Sequence, residues 1–546
     1  MVRSKMFLLP AWLGLLCALI AFGWWVPNRL QNPGVGMHAA KFNSLSYTAS
    51  RPGLSPLKGQ FATVAEVDQD LALLAPLTRA IRSYAAIEGP WEMPALAQKH
   101  GLKLWQGIWL GGDRAQNARE MARAIDYAHR FPDTIERVIV GNEVLLRRDL
   151  PVAELIADID HVRASIKQPV AYADVPDFWD QFPEVAPHVD VVLIHPLPYW
   201  EDVPIGIDHA VESVGKVYAH FKNLFPGKTI AIGETGWPSR GRQRGDAVPG
   251  RVNEARFLRV FMALSEAEKF DYNFIEAFDQ DWKYESEGIV GANWGIFGAD
   301  RRLKIPPLGP LREDPDFVWH AGFSSLCGLV LTALGFAAGR PARPFLIAFL
   351  GMVLGGALGI AQADAAPVLY DVHVRLAAVV NLGGQAWLAG LAMLWAVGAI
   401  PDMAERSGAD ATRRVLSALR LRAYPWRGLF EDIWFLFAWT AGVLQILLVF
   451  DPRYREFLLP NFAVPLVVLV ARALAGDALA RGHGGKEELL LAASLTVGAI
   501  ASGVQEGVLN GQSLLWNGCA LVLSLPLWWR VLPVSTRLAD IGSGKG

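Results

Sequence analysis

At 546 residues the chain is too long for one ordinary domain, and at 52% hydrophobic residues it is too apolar to be soluble throughout, so part of it is expected in lipid. A formal net charge of -2 gives no electrostatic case for binding nucleic acid. The three cysteines, Cys17, Cys327 and Cys519, all lie in apolar runs, which excludes a disulfide framework for the polar part.

The chain opens with Arg3 and Lys5, and an apolar run follows from Met6 to about Val26, long enough at roughly 20 residues to span a bilayer. The run ends in the interfacial pair Trp24-Trp25 and lacks a small-residue cleavage site, so it reads as an uncleaved anchor with its basic start in the cytoplasm. From about Gly36 to Arg312 strands and helices alternate. Strands are expected over Lys41 to Tyr47, Ala80 to Tyr84, Leu102 to Trp109, Arg137 to Glu143, Val170 to Asp174, Val189 to Ile194, Thr229 to Glu234 and Asn273 to Asp279. Helices are expected over Val64 to Leu74, Ala115 to His129, Leu155 to Ile166, Asp208 to Phe225 and Val252 to Glu266. Alternation with about eight strands favours a closed (β/α)8 TIM barrel over a doubly wound open sheet.

A Pro-rich passage from Ile305 to Pro310 closes this region, and about seven apolar segments of spanning length follow. They lie near Val318 to Ala338, Phe345 to Ala366, Leu376 to Ile400, Ile433 to Phe450, Phe462 to Leu474, Leu489 to Gly503 and Leu514 to Leu532. The expected fold class is therefore α/β, with a transmembrane anchor over 1–36, an exported barrel over 37–312 and an all-α transmembrane bundle over 313–546. Cationic residues sort accordingly. Alternation from a cytoplasmic start puts inside Arg340, Arg343, Arg406, Arg413, Arg414, Arg420, Arg422, Arg427, Arg481, Lys486, Arg537 and Lys545, and leaves outside only Arg375, Arg453 and Arg455. Both termini are then cytoplasmic. The stretch Ala411 to Leu421 reads either as a basic interfacial helix or as a solvated one. Asn381, Gln385, Gln445, Arg472 and Asn517 are expected to form interhelical hydrogen bonds, a polar transport path being the alternative.

Two strand ends carry the chemistry. The apolar run Thr229-Ile230-Ala231-Ile232-Gly233 ends in Glu234, followed by Thr235-Gly236-Trp237-Pro238, and the run Arg137 to Gly141 ends in Asn142-Glu143. The two glutamates are about three strand-plus-helix units of roughly 30 residues apart, as expected for the fourth and seventh strands of a barrel whose strand ends converge on one face. Two carboxylates meeting there are the minimum equipment for cleaving a glycosidic bond. A structural salt-bridge glutamate is the alternative for Glu143 taken alone. Strand-end aromatics (Tyr47, Tyr84, Trp109, Tyr199, Trp200, Trp237, Trp282, Trp294) suit stacking on sugar rings, with Trp237, Trp282 and Tyr199 preferred, against a packing role for any one of them. His188, His195 and His209 have no metal-ligand spacing, and no metal is expected.

Together with Ile81-Arg82-Ser83-Tyr84, Glu276-Ala277-Phe278-Asp279-Gln280-Asp281-Trp282-Lys283 and Asn293-Trp294-Gly295-Ile296-Phe297, these motifs resemble glycoside hydrolase family 17, the β-1,3-glucanases and β-glucan transglycosylases. The resemblance covers roughly residues 42 to 304. It implies a retaining mechanism with Glu143 as acid/base and Glu234 as nucleophile. It also implies a sugar site drawn from Tyr47, Arg82, Tyr84, Asn142, Tyr199, Trp237, Asp279, Trp282 and Lys283, with no cofactor. A raised pKa is expected at Glu143, from repulsion by the second carboxylate. Many family members have a glutamate where this chain has Gln280, so the auxiliary acid is absent or displaced to Asp279.

A membrane-bound member of this family resembles bacterial β-(1,6)-glucan synthases. That implies an inner-membrane enzyme with a periplasmic barrel that branches or cyclises β-1,3-glucan. Its expected partners are β-glucan, the lipid bilayer and a separate membrane glucan synthase. The rivals are endo-hydrolysis by the same residues, polymerisation from UDP-glucose, for which no QxxRW-like motif is present, and a non-catalytic glucan-binding scaffold.

Overall fold

Eight short runs of mostly β-branched, aromatic and small residues build the part of the chain that positions the site. The computed structural model describes residues 7–34, 41–339, 341–365, 372–400, 407–419, 428–457, 459–476 and 484–532. The chain divides into two units, Leu30–Glu313 and the combination of Met1–Arg29 with Asp314–Gly546. It begins with helix α1 (Leu9–Trp25), which belongs to the second of these.

In the first unit the strands are β1 (Phe42–Ser46), β2 (Thr78–Arg82), β3 (Lys103–Ile108), β4 (Ile135–Asn142), β5 (Val170–Asp174), β6 (Val191–Ile194), β7 (Thr229–Thr235) and β8 (Tyr272–Phe274). They pair in parallel, in sequence order, and close as a barrel where Ser44 of β1 meets Asn273 of β8. Around them lie α2 (Val64–Leu74), α3 (Met93–Lys99), α4 (Arg114–Arg130), α5 (Val152–Ser165), α6 (Pro176–Gln181), α7 (Ile207–Leu224), α8 (Arg251–Glu268) and α9 (Tyr284–Gly291). Helix starts follow local chemistry. Thr63 and Glu66 form a reciprocal capping box on α2, and Asp113 accepts from the amides of Ala115 and Gln116 at the start of α4.

The barrel interior is filled by Ala80, Trp105, Ile139, Ala171, Ala173, Val191, Leu193 and Ala231. The four alanines leave room for Trp105, whose indole donates to Glu136 and lies under the Arg137 guanidinium, 4.1 Å from the ring centre. A larger apolar core, including Leu71, Ile159, Val214 and Phe261, seals the strands against the helices. β8 is shorter than the sequence suggests. After Phe274 the chain leaves the sheet and pairs instead with residues 294–297, through Glu276 N to Trp294 O at 2.9 Å and Asp279 N to Phe297 O at 2.9 Å. Helices α3 and α6, of 7 and 6 residues, are too short to show a helical period in the sequence.

The second unit adds α10 (Phe317–Ala338), α11 (Pro344–Ala365), α12 (Val372–Ala396), α13 (Gly408–Leu419), α14 (Leu429–Phe450), α15 (Ala463–Leu474), α16 (Lys486–Glu506) and α17 (Gly511–Val531). Six of these, α10, α11, α12, α14, α16 and α17, are long and apolar enough to cross a membrane. The first apolar run forms a helix of only 17 residues, α1, and the segment Phe462 to Leu474 forms the 12-residue α15 after a 3-10 turn at Leu459–Phe462. Arg3, Lys5, Arg340, Arg406, Arg420, Arg422, Arg427, Arg481, Arg537 and Lys545 lie outside the described residues, as does the end of the Ala411 to Leu421 stretch beyond α13.

Small residues let α10 and α11 approach closely. A Cβ at Gly355 would stand 2.3 Å from the amide nitrogen of Gly328, and one at Gly359 would collide with Ser324. Trp12 and Trp24 of α1 donate to Phe345 O at 3.2 Å and Ser324 Oγ at 3.0 Å, so this helix packs with the C-terminal helices. The polar residues inside the bundle pair with one another. Trp516 donates to Gln445 at 2.6 Å, Gln445 to Asn517 at 3.4 Å, Gln385 to Asn381 at 2.8 Å, and Arg472 meets Glu431 at 2.7 Å.

Candidate active site

The site is made at the C-terminal ends of β4 and β7. The register between β4 and β5 slips between Ile139 and Asn142, and Glu143, the next residue, has a left-handed backbone at φ 52° while its amide donates to Ala173 O at 2.8 Å. Gly141 is required for this turn. Its φ is 90°, and a Cβ there would stand 2.7 Å from Val144 Cγ2. A matching slip between Ile232 and Thr235 in the β7–β8 pairing brackets Glu234. Gly233 before it admits the His195 ring, which lies 2.8 Å from where a Cβ would be.

Carboxylate oxygens of Glu143 and Glu234 and a ring nitrogen of His195 lie within 4.8 Å of one another. Glu234 is nearly buried, with its side chain 6% exposed. Its Oε1 accepts from the Tyr84 hydroxyl at 2.8 Å, meets Arg82 Nη1 at 3.1 Å and lies 3.9 Å from His195 Nε2. All three groups address one oxygen, and Oε2 has no hydrogen-bond partner among the described residues. Arg82 also donates to Gly233 O at 2.6 Å and to the Asn142 side chain, tying the β2, β4 and β7 ends together. Behind Tyr84 stands a relay from the barrel seam. Ser44 donates to Asn273 at 2.8 Å, Asn273 to Ser46 at 2.6 Å, and Ser46 Oγ lies 2.8 Å from the Tyr84 hydroxyl.

Glu143 is more open, its side chain 21% exposed, and its Oε1 lies 2.8 Å from His195 Nδ1. The pKa expected to be raised is instead lowered. Burial pushes the Glu143 carboxyl up, but the His195 hydrogen bond and charge, with the Arg147 and Arg82 guanidiniums, together outweigh it. Burial and the Glu234 charge raise the Tyr84 phenol well above its ordinary value, so it stays a donor. Lys283 meets Glu276 at 2.8 Å. The Glu276 and Glu287 carboxylates overcome burial there and keep the ammonium charged, and Glu234 adds to the same pull. Burial pushes Glu276 up to about 7 against the pull of Lys283. Glu287 is raised by burial and by the charges of Glu143 and Glu234, opposed by Lys283.

Arg82, Tyr84, Asn142 and Lys283 thus gather around the two glutamates, and the other expected sugar contacts do not all join them. Trp237, 1% exposed, packs against Tyr199 and Phe257 and donates to Val248 O at 3.0 Å, so neither ring face is open to a sugar. Tyr199 is buried and donates to Arg242 O, and Tyr47 is buried and donates to Asp70 at 3.1 Å. These three rings follow strands but turn into the core, because the loops fold back over them. Asp279 accepts from Lys304 at 2.7 Å and from the Gly295 amide at 2.8 Å, which ties it to the closing segment. Trp282, half-buried, donates to Gln280 at 3.0 Å. His195 is the residue sequence reasoning overlooked, having weighed it only as a metal ligand. The signal was its place, directly after β6, where the barrel ends converge. A metal does not fit this donor set, because Glu234 Oε1 already accepts from Tyr84 and faces a guanidinium.

Residues 44–295, just under half of the chain, match the model of the BtgE/BtgC glycoside hydrolase domain. A glucan 1,3-β-glucosidase of Schizosaccharomyces pombe is 28% identical over 266 residues, 43% of this chain and 78% of the relative. A glucan 1,3-β-glucosidase of Candida albicans is 26% identical over 282 residues, 45% of this chain and 87% of the relative. Among solved structures, the glycoside hydrolase family 17 β-1,3-glucanosyltransferase from Rhizomucor miehei is 26% identical, at a TM-score of 0.43, covering 49% of this chain and 97% of that one. The barrel is an enzyme domain, a glycoside hydrolase of the family 17 kind.

Proposed function

We propose that the protein is a membrane-held retaining β-glucan transglycosylase that remodels β-1,3-glucan. The observation that carries the reading is the 4.8 Å limit on the separation of the Glu143 and Glu234 donor atoms, the spacing of a double displacement and too short to admit a water between them for inversion. Oε2 of Glu234, the oxygen without a partner, attacks the anomeric carbon. Glu143 gives its proton to the leaving sugar oxygen as the C–O bond breaks. Glu143, now a carboxylate, takes the proton of an acceptor hydroxyl, whose oxygen bonds to the anomeric carbon as Glu234 leaves. Arg82 and Tyr84 hold Glu234 ionised and oriented, and His195 holds Glu143. No cofactor takes part. The names of the relatives, glucan 1,3-β-glucosidase and β-1,3-glucanosyltransferase, support β-1,3-glucan as donor.

The reading extends to placement. The anchor over 1–36, which contains α1, and the helices after 313 hold the barrel of 37–312 at the periplasmic face of a bacterial inner membrane, with both termini cytoplasmic. The distribution of Lys and Arg along the sequence supports this orientation. There it acts beside a separate membrane glucan synthase, and the acceptor hydroxyl is the 6-OH of a second glucan, giving a β-1,6 branch or a ring. The test is product analysis on purified laminari-oligosaccharides. Wild type forms products longer than the substrate with new linkages, and Glu143→Gln loses them. Only shorter products would make the protein an endo-β-1,3-glucanase, and no turnover at all would make it a glucan-binding scaffold.

A further inference from the structure

With Trp237, Tyr199 and Tyr47 packed inside, the aromatic surface left at the catalytic end of the barrel is informative. Trp109, the residue directly after β3, is 40% exposed. One of its faces is covered, with the Arg147 guanidinium 4.2 Å from the ring centre. That guanidinium is fixed on its other sides, bonding Asp149 at 2.7 Å and Leu110 O at 2.8 Å and also the main-chain oxygen of Asn142, while the Arg147 amide donates to Glu143 O at 2.9 Å. The Trp109 amide donates to Glu120 at 3.3 Å, and its indole N–H has no partner among the described residues. An indole held flat by a locked cation, with the opposite face open and a donor at its edge, matches a pyranose: CH groups for the ring face, a hydroxyl for the N–H.

Position gives the site a direction. β3 and β4 are neighbours, paired up to Ile108 and Val140, and Arg147 connects Trp109 to the turn that carries Glu143. An acid/base stands beside the oxygen that leaves, so the sugar that departs and the one that replaces it lie on the Glu143 side. We propose that Trp109, backed by Arg147, is a stacking platform for a glucosyl unit of the acceptor and so biases the glycosyl-enzyme toward a sugar hydroxyl over water. The inference rests on the retaining transfer proposed above and names its acceptor subsite.

The experiment uses the full chain in detergent, as wild type, Trp109→Phe and Trp109→Leu. A laminari-oligosaccharide donor is held constant while a second, reducing-end-labelled laminari-oligosaccharide is titrated as acceptor. Donor cleavage and labelled transfer product are followed separately. The Leu variant should need about tenfold more acceptor for half-maximal transfer, a loss of about 1.4 kcal/mol of acceptor binding, with donor cleavage within twofold of wild type. Phe keeps a flat face and should recover most of the loss. Equal behaviour of Leu and Phe, or acceptor dependence unchanged in Leu, overturns the platform, as does a fall in donor cleavage that matches the fall in transfer. If wild type cleaves no donor, the proposed function fails, and the platform is then judged by calorimetric binding of the same oligosaccharide to wild type and Trp109→Leu. Equal affinity there overturns it.

Discussion

Tyr84→Phe isolates the group that orients the nucleophile. The substitution removes one hydroxyl and keeps the ring that lies 4.9 Å from the Arg82 guanidinium carbon, so packing and the cation–π contact persist. What is lost is a 2.8 Å hydrogen bond to a carboxylate whose side chain is 6% exposed. A hydrogen bond to a charged group contributes about 1.5–3 kcal/mol. If half or more of that value is spent on aiming Oε2, the loss in kcat is roughly 4- to 150-fold at about 1.4 kcal/mol per tenfold. The phenol hydroxyl is engaged by Ser46 and Glu234, so KM should stay within about threefold, as for an interaction that acts in the transition state. Steady-state cleavage of laminari-oligosaccharides, with thermal melting to confirm folding, measures both. An unchanged kcat, or a change confined to KM, would refute the orientation argument.

His195→Leu removes the hydrogen bond and charge that outweigh burial at Glu143, so the Glu143 carboxyl should rise. The limb of the pH–rate profile that reports loss of the acid proton then moves to higher pH, and an unmoved limb contradicts the assignment. Burial raises Glu254 to about 8 and Glu276 to about 7 in the folded barrel, above the ordinary carboxyl value they take when unfolded. Between pH 5 and 8 the folded state therefore binds more protons, and the stability these groups contribute below pH 5 is lost as pH rises through 7 to 8. The barrel should melt several degrees higher at pH 5 than at pH 8, by differential scanning fluorimetry, and Glu254→Gln should flatten that slope. Gly355→Leu would push a side chain into Gly328, separate α10 from α11 and lower the melting temperature of the helical unit, while barrel chemistry on soluble oligosaccharides persists.

Much of the barrel was legible because parallel strands buried on both faces read as apolar runs. Val170–Asp174 is the strand observed, and Thr229–Thr235 extends the expected run by one residue. The ending of β8 was not legible, because Glu276 to Asp279 pairs with residues 294–297 across a sequence gap that no local pattern reports. Glu143 and Glu234 stood out because a charge at the end of an apolar strand has few structural uses. The aromatics were ambiguous for the opposite reason. Trp237 and Trp109 look alike in sequence, and only the fold shows that one loop closes over its ring while the other leaves a face open. The sign at Glu143 was misjudged because repulsion from Glu234 was considered without His195, a partner 52 residues away that only the barrel brings to 2.8 Å.

Trapping the covalent intermediate tests the central claim most directly. The protein is treated with a 2-deoxy-2-fluoro-laminaribiosyl fluoride, which slows release of the glycosyl-enzyme, and digested for peptide mass spectrometry. A single glycosyl adduct on the Glu234 side chain, absent from Glu234→Gln and abolished by excess laminari-oligosaccharide, is the predicted result. An adduct on another carboxylate, or products of inverted anomeric configuration with no adduct, would contradict the double displacement through Glu143 and Glu234.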